Sequence, residues 1–509
     1  MKKHRSIVGL LVAGVSIAGA GIAAPQAAAT TPPAAAAGGS ITIALGSEPT
    51  SLDPHTVDDG GERAINDNIY ETLLSRDAEG ALAPGLASEM PTQIDATTWQ
   101  FKLRSGVTFH DGTPFNADAV VATVSRIQRL ITEKKTDNDG FFSSLTGATK
   151  VDDLTVNITT AKQDGVLPAR MYWLKVVAPG TEASDDLSDK PNGTGPYTFV
   201  GRETGVSIDL AANPTYWGGA PSLSAVKYEF VSEAGTRLAG LKSGKYDLIT
   251  NLAPNNTGEA PAFVAKQAQE HPVLILNADG GITADPNVRK ALNMAVDKAT
   301  LVDAIYSGFA TVDEGQLLSP SILGYNDQIK AYAYDVEAAK QLIKDAGAEG
   351  KTITLVGESS GRWLNDKDLL EAIAGYWQEI GLKVDLQTPE FGAYLDVLFD
   401  RNQRADAIFV SSSNDLLDPD RQLSTYYQKG GIGSSNSDQA LSDLIDKGRQ
   451  ELDATARAAL YQQAAKIAYD NAYFVWLVSN QDVYGTSTRL SFTPRVDSKL
   501  LVKDMSVKA

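Results

Sequence analysis

At 509 residues the chain is longer than one hydrophobic core usually serves, so two or three domains are expected. Apolar residues make up 43% of it, near the soluble globular average, and a formal net charge of -18 argues against nucleic acid and anionic membrane as partners. Cysteine is absent, which excludes disulfides, thiol catalysis, iron–sulfur clusters, cysteine-built zinc sites and a lipid-bearing cysteine.

The chain opens as an export signal does. Lys2, Lys3 and Arg5 give a positive start, Ile7 to Ile22 is an apolar and small-residue stretch, and Ala27-Ala28-Ala29 offers an A-x-A cleavage site. Residues 1–29 are therefore expected to be removed on export, leaving a still more acidic protein. Gly9, Gly14, Gly19 and Gly21 interrupt the apolar part, which argues against a membrane anchor. Residues 30–40, TTPPAAAAGGS, read as a flexible tether.

The folded part begins with the alternation of Ile41 to Leu45, broken by Glu48-Pro49 and Asp53-Pro54. Ile65, Ile69, Leu73 and Leu74 repeat at three and four, predicting a short helix over 64–74. Trp99, Phe101 and Leu103 then alternate with polar neighbours as a half-buried strand does. Gly106 and Asp111-Gly112 mark turns, and Asn116 is an N-cap for a helix whose Val120, Val121, Val124, Ile127, Leu130 and Ile131 form one apolar face.

Further on, Leu154, Val156 and Ile158 alternate again, and the polar TEASDDLSDKPNGTGPY reads as a crossing between domains. YTFV and VSIDLAA are strands, Val226 to Phe230 another, Ala234 to Leu241 a helix, and Val273 to Leu276 a return to sheet. Asp285 caps a helix with Pro286 at its first position, carrying Val288 through Ile305. Helical patterns at Val336 to Ala346, with Asp335 as N-cap and Gly347 as C′, and at Leu364 to Ile380 alternate with strands TITLVG, KVDLQT and ADAIFVSS, an α/β grammar. The last long helix covers Ala454 to Asp470.

Catalytic motifs were tested against these elements. Gly195 lacks the helix N-terminus that a phosphate needs. Gly357 to Gly361 reads G-x-S-x-G, but His4, His55, His110 and His271 all precede Ser359, whereas the hydrolase order places histidine after the nucleophile. The histidines lack metal-ligand spacing, and His110 in its turn reads as a structural hydrogen-bond partner. Asp137-Asn138-Asp139-Gly140 offers oxygen ligands without full EF-hand spacing. No cofactor is implied.

VSSSNDLLDPDRQL, residues 410–423, is the informative stretch for a binder. Strand DAIFV ends there and delivers Ser411, Ser412, Ser413, Asn414, Asp415 and Asp418 to a loop at its C-terminal end, where α/β sheets hold ligands. Asp415 is read either as a ligand contact or as a loop carboxylate capping nearby N–H groups. Trp173, Trp363 and Tyr394 are aromatics for lining a cleft or for packing.

Several of these stretches resemble the extracytoplasmic solute-binding proteins of ABC importers, family 5, the peptide, nickel and opine group. They are SEPTSLDPHTVDD, ALAPGLASEM, the strand–turn–helix of residues 97–131, GTGPY, Asn213-Pro214-Thr215-Tyr216-Trp217, Ser243 to Asp247, the helix from Asp285, and Arg457, Leu460, Tyr461 and Ile467. The resemblance implies an α/β, periplasmic-binding-protein-like two-lobed fold of the large type with an additional domain and a ligand cleft between lobes. Its implied domains are 41–60, 190–278 and 480–509 for the first, an inserted second at 61–189, and a third at 279–479. It further implies a periplasmic, unlipidated monomer that is not an enzyme, capturing a short peptide or similar polar solute for an inner-membrane ABC permease. A nickel chelate, opine or oligosaccharide is the alternative cargo, and a secreted hydrolase the alternative class. By the family pattern, Asp418-Pro419 matches a D-P pair and Asp415 the aspartate that holds a peptide's α-amino group. Ser411, Ser412, Ser413 and Asn414 stand where peptide binders carry an aromatic pair, which favours a polar ligand. Asp415, Asn414, Ser413, Ser412, Trp363 and Tyr394 are the expected ligand contacts.

Overall fold

The computed structural model describes residues 38–57, 60–359 and 362–508, so the export signal and most of the tether lie outside the described residues. The first of three main sheets has eight strands drawn from distant sequence. Ser40–Leu45 pairs in parallel with Ala225–Phe230 and Leu248–Ile249, while Val478–Thr486 runs antiparallel to Leu248–Ile249 and Ala262–Gln267. Ile41, Ile43, Val226 and Tyr228 pack with Ile65 and Ile69 of helix Gly60–Ile69.

The second sheet orders Lys383–Gln387, Thr352–Val356, Ala407–Ser413, Glu270–Leu276 and Phe474–Trp476. Its first three strands are parallel, and helices Pro286–Met294 and Asp366–Glu379 supply apolar faces to the core beside it. The third sheet is an antiparallel set of Thr92–Asp95, Thr98–Lys102, Thr155–Thr160 and Leu145–Asp152. Phe101 and Val156 of this sheet meet Val120, Val124 and Ile127 of helix Ala117–Thr132, as the apolar spacing requires. Separate sheets in a mixed α/β chain give the expected two-lobed architecture.

Local chemistry sets the element ends. Asn116 accepts from the Asp118 N–H at 3.0 Å, Asp285 from Asn287 at 2.8 Å and Asp335 from Ala338 at 2.9 Å. Gly347 ends its helix at φ +60, a conformation that favours glycine. Two elements differ from the sequence reading. The helix expected over 64–74 stops at Ile69, and Leu74 opens strand Leu74–Arg76, because a tertiary hairpin with Leu82–Pro84 captures it. The helix from Pro286 breaks after Met294. Asp297 caps a new one, Lys298–Ala304, by accepting from Thr300 at 3.1 Å.

Two of the places where the chain passes between the first and second sheets are neighbours, and strand Ala310–Val312 visits the first sheet between them in sequence. Gln267 ends a first-sheet strand and Glu270 opens a second-sheet one, while Trp476 and Val478 make the return crossing. The Ala268 N–H donates to the Asn480 carbonyl at 3.1 Å, tying the crossings together. The transition therefore precedes the boundary at 278 read from sequence. Residues 270–276 pair with Ala407–Ser413 and Phe474–Trp476, since an apolar run does not reveal which sheet a buried strand joins.

Candidate functional site

Two regions concentrate polar groups, and they differ in how closely their carboxylates are met by donors. The first gathers the motifs. Glu71 accepts from Tyr216 OH at 2.7 Å, from Trp217 Nε1 at 2.8 Å and from Thr194 Oγ1 at 2.9 Å. Burial pushes its carboxyl up while these donors pull it back, leaving it above the usual range. A Cβ on Gly193 would stand 2.0 Å from the Ile69 carbonyl, so only glycine lets this loop lie against the helix end. His110 Nε2 lies 3.0 Å from the Gly195 carbonyl, the structural role expected of it. Nearby, Arg126 makes a two-pronged pair with Asp53 at 3.0 and 2.5 Å, both side chains fully buried. These motifs clamp the fold.

The second region is the end of strand Ala407–Ser413. Ser413 is in register with Glu270, and the Asn414 N–H donates to the Gln269 carbonyl at 2.9 Å, which places Asp415 beside the crossing between sheets. Asp415 accepts from Ser413 Oγ at 3.1 Å, with Arg63 3.6 Å from Oδ1 and Arg421 3.6 Å from Oδ2. Burial raises its carboxyl, but Arg63, Arg421 and the Ser413 hydroxyl outweigh that and hold it below the usual range. It is ionised at neutral pH. Glu270, hydrogen-bonded by Ser411 Oγ, moves the other way because burial dominates.

Polar atoms remain unpaired here. Asn414 Nδ2, Arg421 Nε, Gln422 Oε1 and Gln269 Oε1 are buried without a hydrogen-bond partner, at a cost of about 1–3 kcal/mol each. Gln422 otherwise leans on Ser412 Oγ at 3.2 Å. A strand end that leaves acceptors and donors open beside an ionised carboxylate is suited to taking a polar ligand.

The structure thus brings together Asp415, Asn414, Ser413 and Ser412 and separates the two aromatics from them. Tyr394 is fully buried and donates to the Phe409 carbonyl at 2.7 Å, so it has no face for a solute. Trp363 packs edge-on against Tyr394 and Phe409, with ring centroids 5.8 and 5.5 Å away. Tyr394 is core on helix Phe391–Phe399, while Trp363, half-buried in the turn before helix Asp366–Glu379, packs against the strand rather than at its end. Trp173 instead stands at the site. It stacks on Phe141 at 5.5 Å, with Arg63 5.1 Å over its own ring and Arg421 4.6 Å over that of Phe141.

Sequence reading missed Arg63, Arg421 and Phe141, which no local motif connects to residue 415. Next to these side chains in sequence, Leu417 and Asp418 line a cavity of about 290 Å³ with Arg76, Leu82, Ile322 and Arg457. Asp418 itself is committed to Arg457 at 2.7 and 2.8 Å and to the Asp420 N–H at 3.0 Å.

A second array was also missed. His271 Nδ1 donates to Asp313 at 2.9 Å, and its Nε2 accepts from Ser319 Oγ at 3.0 Å. This serine lies outside the G-x-S-x-G stretch, whose Ser360 and Gly361 lie outside the described residues. Ser319 is only 4% exposed, and His271 sits one residue past Glu270 at the crossing, so the array ties strand Glu270–Leu276 to the 313–319 segment. Asn138 in the acidic loop is spent on the carbonyls of His55 and Val57. Among the described residues, no cluster of three or more His, Asp or Glu side chains is arranged for a metal ion.

Residues 81–434 match the family described as bacterial extracellular solute-binding proteins, family 5, middle region, and the chain belongs to that family. It is an extracytoplasmic binding protein, the solute-capturing component of an ABC importer for peptides or small polar solutes, and not an enzyme. It is 28% identical over 471 residues to the heme-binding protein A of Haemophilus influenzae, spanning 84% of each chain. It is also 28% identical over 435 residues to the dipeptide-binding protein of Escherichia coli, spanning 76% of this chain and 79% of that one. The Helicobacter pylori periplasmic binding protein solved with the peptide STSA superposes with a TM-score of 0.77 at 25% identity, covering 93% of this chain and 98% of that one.

Proposed function

We propose that the cargo is a short peptide or similar polar solute held by its free ammonium on Asp415, and that the lobes close on it by rotation about the paired crossings near 268 and 477. The observation that carries this is an ionised, buried carboxylate set beside the hinge and flanked by unpaired polar atoms. An ammonium there would make a charge-assisted hydrogen bond in a desolvated setting, which is directional and costly to half-make. Ser412, Ser413 and Asn414 supply further polar contact. Dipeptide and peptide ligands of the relatives named above support the same class. The domains centre on the sheets, 41–60, 190–268 and 480–509 on the first, 61–189 on the third and 270–477 on the second, with helix Gly60–Ile69 packing back on the first sheet and Ala310–Val312 pairing into it.

Isothermal titration with a dipeptide panel tests the assignment. Asp415→Ala is expected to weaken a bound dipeptide by about 2–5 kcal/mol, the range for removing one partner of a buried charged contact. Unchanged affinity would remove Asp415 from the site, and binding of a nickel chelate, opine or oligosaccharide in place of every peptide would change the cargo.

A further inference from the structure

Arg421 shares the strand-end loop with Asp415, and its surroundings single it out. Its terminal nitrogen stands 3.6 Å from Asp415 Oδ2, another donates to Thr425 Oγ1 at 3.1 Å, and its Nε is buried without a partner. The Phe141 ring lies 4.6 Å beneath the guanidinium and fixes its plane. Among the described residues, Asp415 is the only carboxylate within ion-pair distance of Arg421.

We infer that Arg421 determines specificity, and that with Asp415 it receives a free α-amino-acid head group, ammonium and carboxylate on the same carbon. This rests on the assignment of the ligand's ammonium to Asp415. The first step is charge. An ammonium that takes over Asp415 leaves Arg421 without its carboxylate, and a buried cation in that position requires an anion brought by the ligand.

The second step is distance. The two protein groups lie side by side 3.6 Å apart. Charge-assisted contacts of about 2.7–2.9 Å to each are met together by ligand groups about 3 Å apart, as ammonium and carboxylate on one carbon are. Across a peptide bond the two groups are about 5 Å or more apart, because successive Cα atoms are already separated by 3.8 Å. The pair is thus matched to a γ-linked peptide or an amino-acid conjugate whose head group is free, and mismatched to the N-terminus of an ordinary peptide, where an amide occupies the carboxylate's place. Arg63 stands 3.6 Å from Asp415 Oδ1 with its guanidinium over the Trp173 face.

γ-Glutamylglycine and α-glutamylglycine are isomers of equal charge that differ in where the free carboxylate stands, and titrating both into the full-length mature protein tests the inference. The γ isomer is expected to bind at least tenfold more tightly, Arg421→Gln to abolish that difference, and Asp415→Asn to weaken both. Equal or tighter binding of the α isomer overturns the specificity inference while leaving the peptide reading intact, as does a γ preference that survives Arg421→Gln. Failure of both isomers and of neutral dipeptides to bind the unmodified protein overturns the peptide reading and the inference with it. The isomer comparison needs no variant, so it decides even where a substitution impairs folding.

Discussion

The Glu71 clamp and the Asp415 strand end are both built from buried charge, yet the carboxylates of one are met by close donors and the carboxylate of the other is not. Around Glu71 and Asp53, three donors meet one carboxylate and a guanidinium meets the other with two parallel contacts. Around Asp415 both guanidiniums stand off at 3.6 Å and neighbouring amide and guanidinium atoms have no partner. Saturated polar clusters hold a fold in one geometry, whereas unsaturated ones keep capacity for a molecule that is not part of the chain.

Substitutions at the clamp should therefore act on stability and those at the strand end on affinity. The largest effect is expected from Arg126→Ala, which strands the Asp53 carboxylate in the core and should cost about 3–5 kcal/mol in urea unfolding, with ligand affinity of the folded protein little changed. An equal loss of affinity would erase the distinction between the regions. Next comes Glu62, whose buried carboxyl is pushed up to about 7 by burial, against the pull of Lys175. Its folded value exceeds its unfolded one, so the stability it contributes is present below about pH 4.5 and is lost as pH rises through 7, by about 3 kcal/mol in all. Glu62→Gln should flatten that window in thermal melts recorded between pH 4.5 and 8.

Glu71→Gln keeps the shape but removes one acceptor oxygen, and about 1–3 kcal/mol of stability should go with it, again without a change in ligand affinity. The smallest effect is expected from Ser319→Ala, about 1 kcal/mol or less, because His271 keeps its bond to Asp313. Ligand binding by that variant, followed by titration, should stay at the unmodified level, since the array makes no bond to the Asp415 loop. Binding of an amine ligand should also be level from about pH 5 to 7, where Asp415 is charged and a peptide α-amino group, with its pKa of about 7.7–8.0, is still protonated.

Sequence was a good guide wherever the deciding interaction is local. Asn116, Asp285 and Asp335 cap the helices they precede, because the capping bond spans two or three residues. The α/β alternation, the apolar face of helix Ala117–Thr132 and the family resemblance were legible for the same reason: each rests on spacing or on residues read in order. So was the presence of Asp415 at a strand end. Tertiary structure alone decided what Asp415 meets. Arg63 lies 352 residues before it in the chain, Phe141 and Trp173 reach it from a different sheet's surroundings, and Tyr394, a candidate for the cleft by type, was drawn into the core by the Phe409 carbonyl. Whether a buried carboxylate meets close donors depends on chain brought in from far along the sequence, and residues read in order do not carry that pairing.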